Sequence, residues 1–189
     1  MQDAIRDYID RLQQGLRAID PTEIERVIRA LAQARREERQ VFLIGNGGSA
    51  ATASHMANDL QKFASHGKGV PFRAIALTDN VPLLTAWAND DCYDCVFSRQ
   101  LAALSRPGDL LIAITGSGNS PNILAAMRWA AEHELTTVAF LGFDGGAAKG
   151  LADHVLLFPE EHYGRVEDAH MVLDHLVVNL LRDLPDPDA

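Results

Sequence analysis

Gln40-Val-Phe-Leu-Ile-Gly45-Asn-Gly-Gly-Ser49 decides the fold. Val41 to Ile44 form a short apolar run that ends in glycine, the pattern of a buried strand. The glycines that follow permit positive φ and close approach of the backbone to a ligand. Ser49 opens a helix expected over 49–63 and sets a hydroxyl beside that helix's free N–H groups. The stretch therefore reads as strand, cradle, helix. No Lys-Ser/Thr pair follows, so it is not a Walker loop, and the G-x-G-x-x-G spacing of a dinucleotide site is absent. Taken alone it is also compatible with an ordinary glycine-rich βα turn.

The rest of the chain repeats the unit. Further strands are expected at Phe72–Leu77, Asp109–Ile114, Thr136–Leu141 and His154–Phe158. Helices are expected at 81–88, 93–104, 122–133 and 165–182. Upstream, Ile5, Tyr8, Ile9, Leu12, Leu16 and Ile19 fall at helical spacing over 2–19. A second helix opens at Pro21, with Asp20 as its N-cap, and runs to about Arg36. Strands alternating with helices predict an α/β fold with a parallel, doubly wound sheet of five strands covered on both faces. Residues 1–189 are read as one domain with its core at about 40–182 and an N-terminal helical segment at 2–38. The tail Leu184-Pro-Asp-Pro-Asp-Ala189 is expected to fray.

Ligands of such sheets bind outside the carboxyl ends of the strands, near the point where the winding reverses. A second polar loop stands there, Thr115-Gly-Ser-Gly-Asn-Ser-Pro121 after the third strand. Thr115, Ser117 and Ser120 offer hydroxyls, and the N–H groups around Gly118 and Asn119 can join them. The plainer alternative is a turn with Asn119 or Ser120 as N-cap.

Bulk properties bound the partners. A formal charge of -9 argues against a nucleic-acid footprint. It leaves room for one phosphate held on backbone N–H groups. The N-terminal residues do not read as a signal peptide, and no uncharged stretch reaches membrane-spanning length. Two cysteines are too few for a disulfide framework, so the expected location is cytoplasmic, with no membrane partner.

The sequence resembles the sugar isomerase (SIS) domain family, and within it the phosphoheptose isomerases. The matching pieces are Gly45-Asn-Gly-Gly-Ser-Ala-Ala51 with His55, Asn89-Asp90, Gly108-Asp-Leu-Leu111 and Ser117-Gly-Asn-Ser-Pro-Asn122. Gly142-Phe-Asp-Gly-Gly146 and Glu167-Asp-Ala-His170 with His175 complete the set, in family order. The resemblance implies a three-layer α/β/α sandwich with flavodoxin-like winding. It implies isomerisation of sedoheptulose 7-phosphate to a manno-configured heptose 7-phosphate, and a homotetramer with active sites at subunit interfaces. By the same resemblance, the Ser117–Ser120 loop holds the phosphate, while Asn46, Gly47, Ser49 and Asp90 meet the sugar hydroxyls. DiaA-type adaptors share this fold without catalysis and bind the bacterial replication initiator; they are the alternative reading.

His55 and Asp59 lie four apart on one expected helix and share a face. Glu167 and His175 lie eight apart on the last helix, roughly on one face. If the two helices meet, two imidazoles and two carboxylates converge, a donor set suited to zinc or another divalent ion. Histidines on amphipathic helices are also common at plain surfaces. The family places metal ligands or acid–base groups at His55, Asp59, Glu167 and His175. Two positions depart from its pattern: Asp59 stands where the family has Glu, and Glu167 where it has Gln. Asp59 is the candidate base of an enediol mechanism and His175 the candidate acid. These roles compete with metal ligation.

Cys92-Tyr-Asp-Cys95 has C-x-x-C spacing but lies in a helical connection, away from the strand-to-helix context of a redox motif. It is not assigned to the site.

Overall fold

The structure is a computed structural model that describes residues 1–184. Residues 185–189, most of the tail expected to fray, lie outside them.

Five strands form one parallel sheet: β1 Gln40–Gly45, β2 Arg73–Ala76, β3 Leu110–Thr115, β4 Thr136–Leu141 and β5 His154–Leu157, in the order β2-β1-β3-β4-β5. Seven α-helices accompany it: α1 Gln2–Ala18, α2 Pro21–Arg36, α3 Gly48–Asn58, α4 Val81–Asp90, α5 Val96–Leu104, α6 Pro121–Glu132 and α7 Tyr163–Asp183. Successive strand residues point to opposite faces, and the core divides accordingly. Val41, Leu43, Ile112 and Phe140 join α2, α3 and α7 in one layer. Phe42, Ile44, Leu111 and Ala139 join α5 and α6 in the other. Every residue of β3 is buried, as a central parallel strand covered on both faces requires. The winding reverses between β1 and β3, which pair from Val41–Leu110 to Gly45–Ile114. The glycine-rich loop after β1 and the hydroxyl-rich loop after β3 therefore emerge side by side.

Asp20 caps α2 as expected, its carboxylate accepting from the Thr22 N–H at 2.8 Å. Asp109 was expected inside the third strand but precedes it. Its carboxylate takes the N–H groups of Gln40 at 2.9 Å and Arg106 at 2.8 Å, fixing where β1 and β3 begin. The helix expected over 49–63 is not α-helical throughout. It widens into a π-turn at Asp59–Phe63, with Ala64 N–H bonded to the Asp59 carbonyl at 2.9 Å. The wide turn keeps Leu60 and Ala64 in the core while Asp59 faces α7.

Candidate active site

The two strand-end loops are tied together. Asn46, just after β1, and Asn122, in the first turn of α6, exchange reciprocal amide hydrogen bonds of 2.9 and 2.8 Å. The Tyr93 hydroxyl donates to the same Asn46 oxygen at 2.9 Å. Tyr93, within the Cys92–Cys95 segment, carries no local signal of this contact, whereas Asn46 follows directly from the loop. Asp90 ends α4 and accepts from Asn89 at 2.7 Å; among the described residues no hydrogen bond joins it to either loop.

Gly47 caps α3 at φ +55°, and Ser49 lies buried in the first turn. In the second loop, Thr115 Oγ1 accepts from Gly118 N–H and Ser117 Oγ accepts from Asn119 N–H, each at 3.3 Å. Both hydroxyls act as acceptors, so their own protons remain to donate. Ser120 is the N-cap of α6, but its side chain makes no capping bond. The loop is braced from behind. Gly118 stands at φ +65°, and a Cβ there would run into the Gly145 carbonyl. Asn119 Oδ1 accepts from Ala147 N–H at 3.0 Å. A rigid loop at a helix N-terminus with unspent O–H donors is a ready anion site. Ser117→Ala and Ser120→Ala should each weaken sugar-phosphate binding by about 1–3 kcal/mol, the usual cost of losing a hydrogen bond to a charged group. Calorimetric titration with a ketose phosphate checks this; unchanged affinity in both variants would contradict the assignment.

α3 and α7 meet as anticipated. His55 Nε2 and His175 Nε2 lie 3.0 Å apart. Asp59 Oδ2 is 3.4 Å from His55 Nε2 and 4.0 Å from His175 Nε2. Both imidazoles are about half exposed, at 42% and 51% of the side chain, and Asp59 is 18% exposed, so the group opens on one side.

Glu167 does not join this group. The donors within 4.8 Å of one another are His55, Asp59, Asp174 and His175. Eight residues of helix separate Glu167 from His175 by about 12 Å of rise, too far for one donor sphere within a single chain. The Glu167 carboxylate instead lies against Gly48, where a Cβ would come within 2.5 Å of Oε1. That place is the N-terminal turn of α3, whose free N–H groups favour a negative charge. Asp174 takes the vacated place. It is fully buried, neither carboxylate oxygen has a hydrogen-bond partner, and burial together with the nearby Asp59 pushes its pKa up to about 7. A signal for it was present in the sequence. His170, Leu173, Asp174, Val177, Val178 and Leu181 form the buried stripe of α7, and a carboxylate within such a stripe is out of place.

The donor set suits a divalent cation. Two imidazoles and two carboxylates are borderline-to-hard ligands, and one carboxylate is buried without a partner. The two Nε2 atoms, 3.0 Å apart, are near enough to each other to serve one ion. Cys92 and Cys95 are free thiols beside Asp91, whose carboxylate is already paired with Arg99 at 2.8 Å. Burial raises the Cys95 pKa, which suppresses the reactive thiolate.

A parallel sheet in flavodoxin order, with two small-residue polar loops at its switch point, defines a sugar-phosphate-binding α/β domain. Residues 6–142 match the SIS domain family. The chain is 41% identical to the phosphoheptose isomerase of Clostridium acetobutylicum over 84% of its own length and 81% of that protein. It is 42% identical to that of Halorhodospira halophila, over 93% and 89% of the two chains. The solved phosphoheptose isomerase of Neisseria gonorrhoeae superposes with a TM-score of 0.88 at 29% identity, covering 97% of each chain. The chain belongs to the SIS domain family and, within it, to the phosphoheptose isomerases.

Proposed function

We propose that the protein is an aldose–ketose isomerase that converts D-sedoheptulose 7-phosphate to D-glycero-D-manno-heptose 7-phosphate through an enediol. The observation that carries this reading is Asp59 set 3.4 and 4.0 Å from two imidazoles, on a helix that begins at the first sugar-facing loop. Thr115, Ser117 and Ser120 hold the phosphate, and Asn46, Gly47, Ser49, Asp90 and Glu167 orient the sugar. Asp59 takes a proton from C1 of the ketose and returns it to C2, while the proton of the C1 hydroxyl passes to the C2 oxygen, so that C1 becomes the aldehyde and C2 a secondary alcohol. The exposed edge of the carboxylate lets it reach the substrate, and the two imidazoles stand beside it.

His55 and His175, with a carboxylate of the cluster, would hold a divalent cation such as zinc. Bound there, the cation would supply Lewis-acid polarisation of the substrate oxygens. An adaptor function needs no convergence of His55, Asp59 and His175, and that convergence favours catalysis over the DiaA-type alternative.

The reading includes a homotetramer. α1 has no buried residue, and Ile5 and Ile9 are exposed along it. Val172, Leu176 and Leu180 form a second exposed stripe, on α7. Two such stripes favour burial against other copies in closed symmetry. Light scattering giving a monomer at micromolar concentration would contradict this. No helix among the described residues is long and apolar enough to cross a membrane, and the cytoplasmic location is part of the same proposal.

The test is isomerase assay of the purified protein with sedoheptulose 7-phosphate and shorter ketose phosphates, before and after chelation. Turnover of the heptulose, lost with chelator and restored by zinc, is expected. Full activity after complete removal of metal would return His175 to the role of acid. No turnover of any ketose phosphate would overturn the enzymatic reading.

A further inference from the structure

The turn that joins α4 to α5 carries the chain's two cysteines, on either side of Tyr93 and Asp94. Both are free thiols, Cys92 exposed and Cys95 partly covered. The two Sγ atoms and a carboxylate oxygen of Asp91 lie within 4.8 Å of one another. Asp91 is not free to join a metal site, because its Oδ2 accepts from Arg99 Nε at 3.2 Å and Nη2 at 2.8 Å. Two thiols alone are too few for a structural zinc, so their approach points to dithiol chemistry. The turn is anchored on both sides. Arg99 ties Asp91 to α5 and lies over the Trp87 ring at 5.4 Å, while Val96 and Phe97 are fully buried. Between the anchors, Cys95 Sγ donates to the Cys92 carbonyl at 3.0 Å. Tyr93, half exposed, reaches out to donate to Asn46 Oδ1 at 2.9 Å, the same oxygen that accepts from Asn122. Drawing the sulfurs to a bonding distance of about 2.05 Å breaks the bond from Cys95 Sγ to the Cys92 carbonyl. The change must be absorbed between the anchors, where Tyr93 stands.

We propose that Cys92 and Cys95 form a reversible disulfide that releases Tyr93 from Asn46 and so weakens sugar binding at the loop after β1. Transient disulfides of this kind act as sensors in reducing compartments. The oxidant is a low-molecular-weight disulfide such as glutathione disulfide. The Cys92 thiolate attacks one of its sulfurs, forming a mixed disulfide and expelling one thiolate. The Cys95 sulfur then attacks Cys92 Sγ and expels the second. Each expelled thiolate takes up a proton that one cysteine has given up. Two protein thiols lose two electrons, and the small disulfide becomes two thiols. The order follows from exposure: Cys92 meets the oxidant, and burial holds Cys95 in the thiol form until its partner is activated. The effect on sugar binding rests on the isomerase reading above; the disulfide and the release of Tyr93 do not.

The test equilibrates the wild-type protein with glutathione and glutathione disulfide at varied ratios. Intact mass should show the loss of two hydrogens, reversed by dithiothreitol. Cys95→Ser should instead hold one glutathione on Cys92, and Cys92→Ser should stay unmodified with the same KM in either buffer. Oxidation of the wild type should speed amide hydrogen exchange in the 46–50 loop by about threefold or more. It should raise KM for sedoheptulose 7-phosphate by about 3- to 10-fold, as the loss of one hydrogen bond does, with kcat within about twofold. Tyr93→Phe should show both changes while reduced and none further on oxidation. No intramolecular disulfide even in glutathione disulfide alone would overturn the inference. A disulfide that leaves loop exchange or KM unchanged would overturn it as well. Faster exchange on oxidation, in a protein that turns over no ketose phosphate when reduced, would overturn the isomerase reading and leave the switch standing.

Discussion

Asp59→Asn should retain no more than about one-thousandth of the wild-type kcat, with KM changed less than about threefold. General-base catalysis contributes about 10²–10⁴-fold, and the substitution removes the proton acceptor while preserving the shape of the side chain. The amide oxygen can still accept from Asn58 Nδ2, as Asp59 Oδ1 does at 3.0 Å, so the π-turn has no reason to change. The phosphate loop is on a different element and keeps its grip on the substrate, which is why the loss should fall on kcat. Asp59→Glu should keep activity within about tenfold, since it restores the longer carboxylate of the family pattern. Steady-state kinetics on the three proteins, with matched melting curves, decides. Wild-type kcat in Asp59→Asn would place the base elsewhere.

Acidification should expose the cost of His170. This imidazole is fully buried on α7, 6.2 Å from the Phe140 ring, and neither nitrogen has a hydrogen bond of normal geometry. Burial lowers its pKa to about 4, and the Leu141 backbone offsets this only in part. In the unfolded chain the ring titrates near 6.5. Above that pH both states are neutral and His170 adds no pH dependence to stability. As pH falls below 6.5 the unfolded state takes up a proton that the folded state refuses, so stability is lost until about pH 4. A shift of this size corresponds to about 2–3 kcal/mol at pH 4.5. Asp174 acts in the opposite sense: its raised pKa means the folded state gains stability as pH falls from about 7. The wild-type profile therefore mixes two opposing contributions, and the difference between wild type and His170→Leu isolates one. Urea unfolding in the presence of chelator should show that difference change by about 2–3 kcal/mol between pH 7.5 and 4.5, in favour of the variant. A difference independent of pH would mean that His170 is protonated alike in both states.

Much of the architecture was readable from local pattern. Val41–Ile44 and Leu110–Ile114 are apolar at every position because a central parallel strand is buried on both faces. Asp20-Pro21 and the two small-residue loops are short-range signals, and each lies where it was expected. The facing of His55 and Asp59 follows from their spacing. Within one chain Glu167 and His175 stand apart, because eight residues of helix bring two side chains toward one face but not to one height.

By itself, then, the sequence determined the element order, the parallel sheet, the loops at its carboxyl edge and the families of residues that carry chemistry. Those are properties of neighbours along the chain, set by periodicities of two and 3.6 and by the turn chemistry of glycine, serine and asparagine. Only the tertiary structure decided which groups share a site. The π-turn aims Asp59 at α7, Tyr93 closes over Asn46, Glu167 stops at Gly48, and Asp174 enters the cluster in its place. Each of these depends on the height and rotation at which one helix packs on another. That is fixed by the fit of side chains across the interface, a long-range quantity that no local spacing encodes.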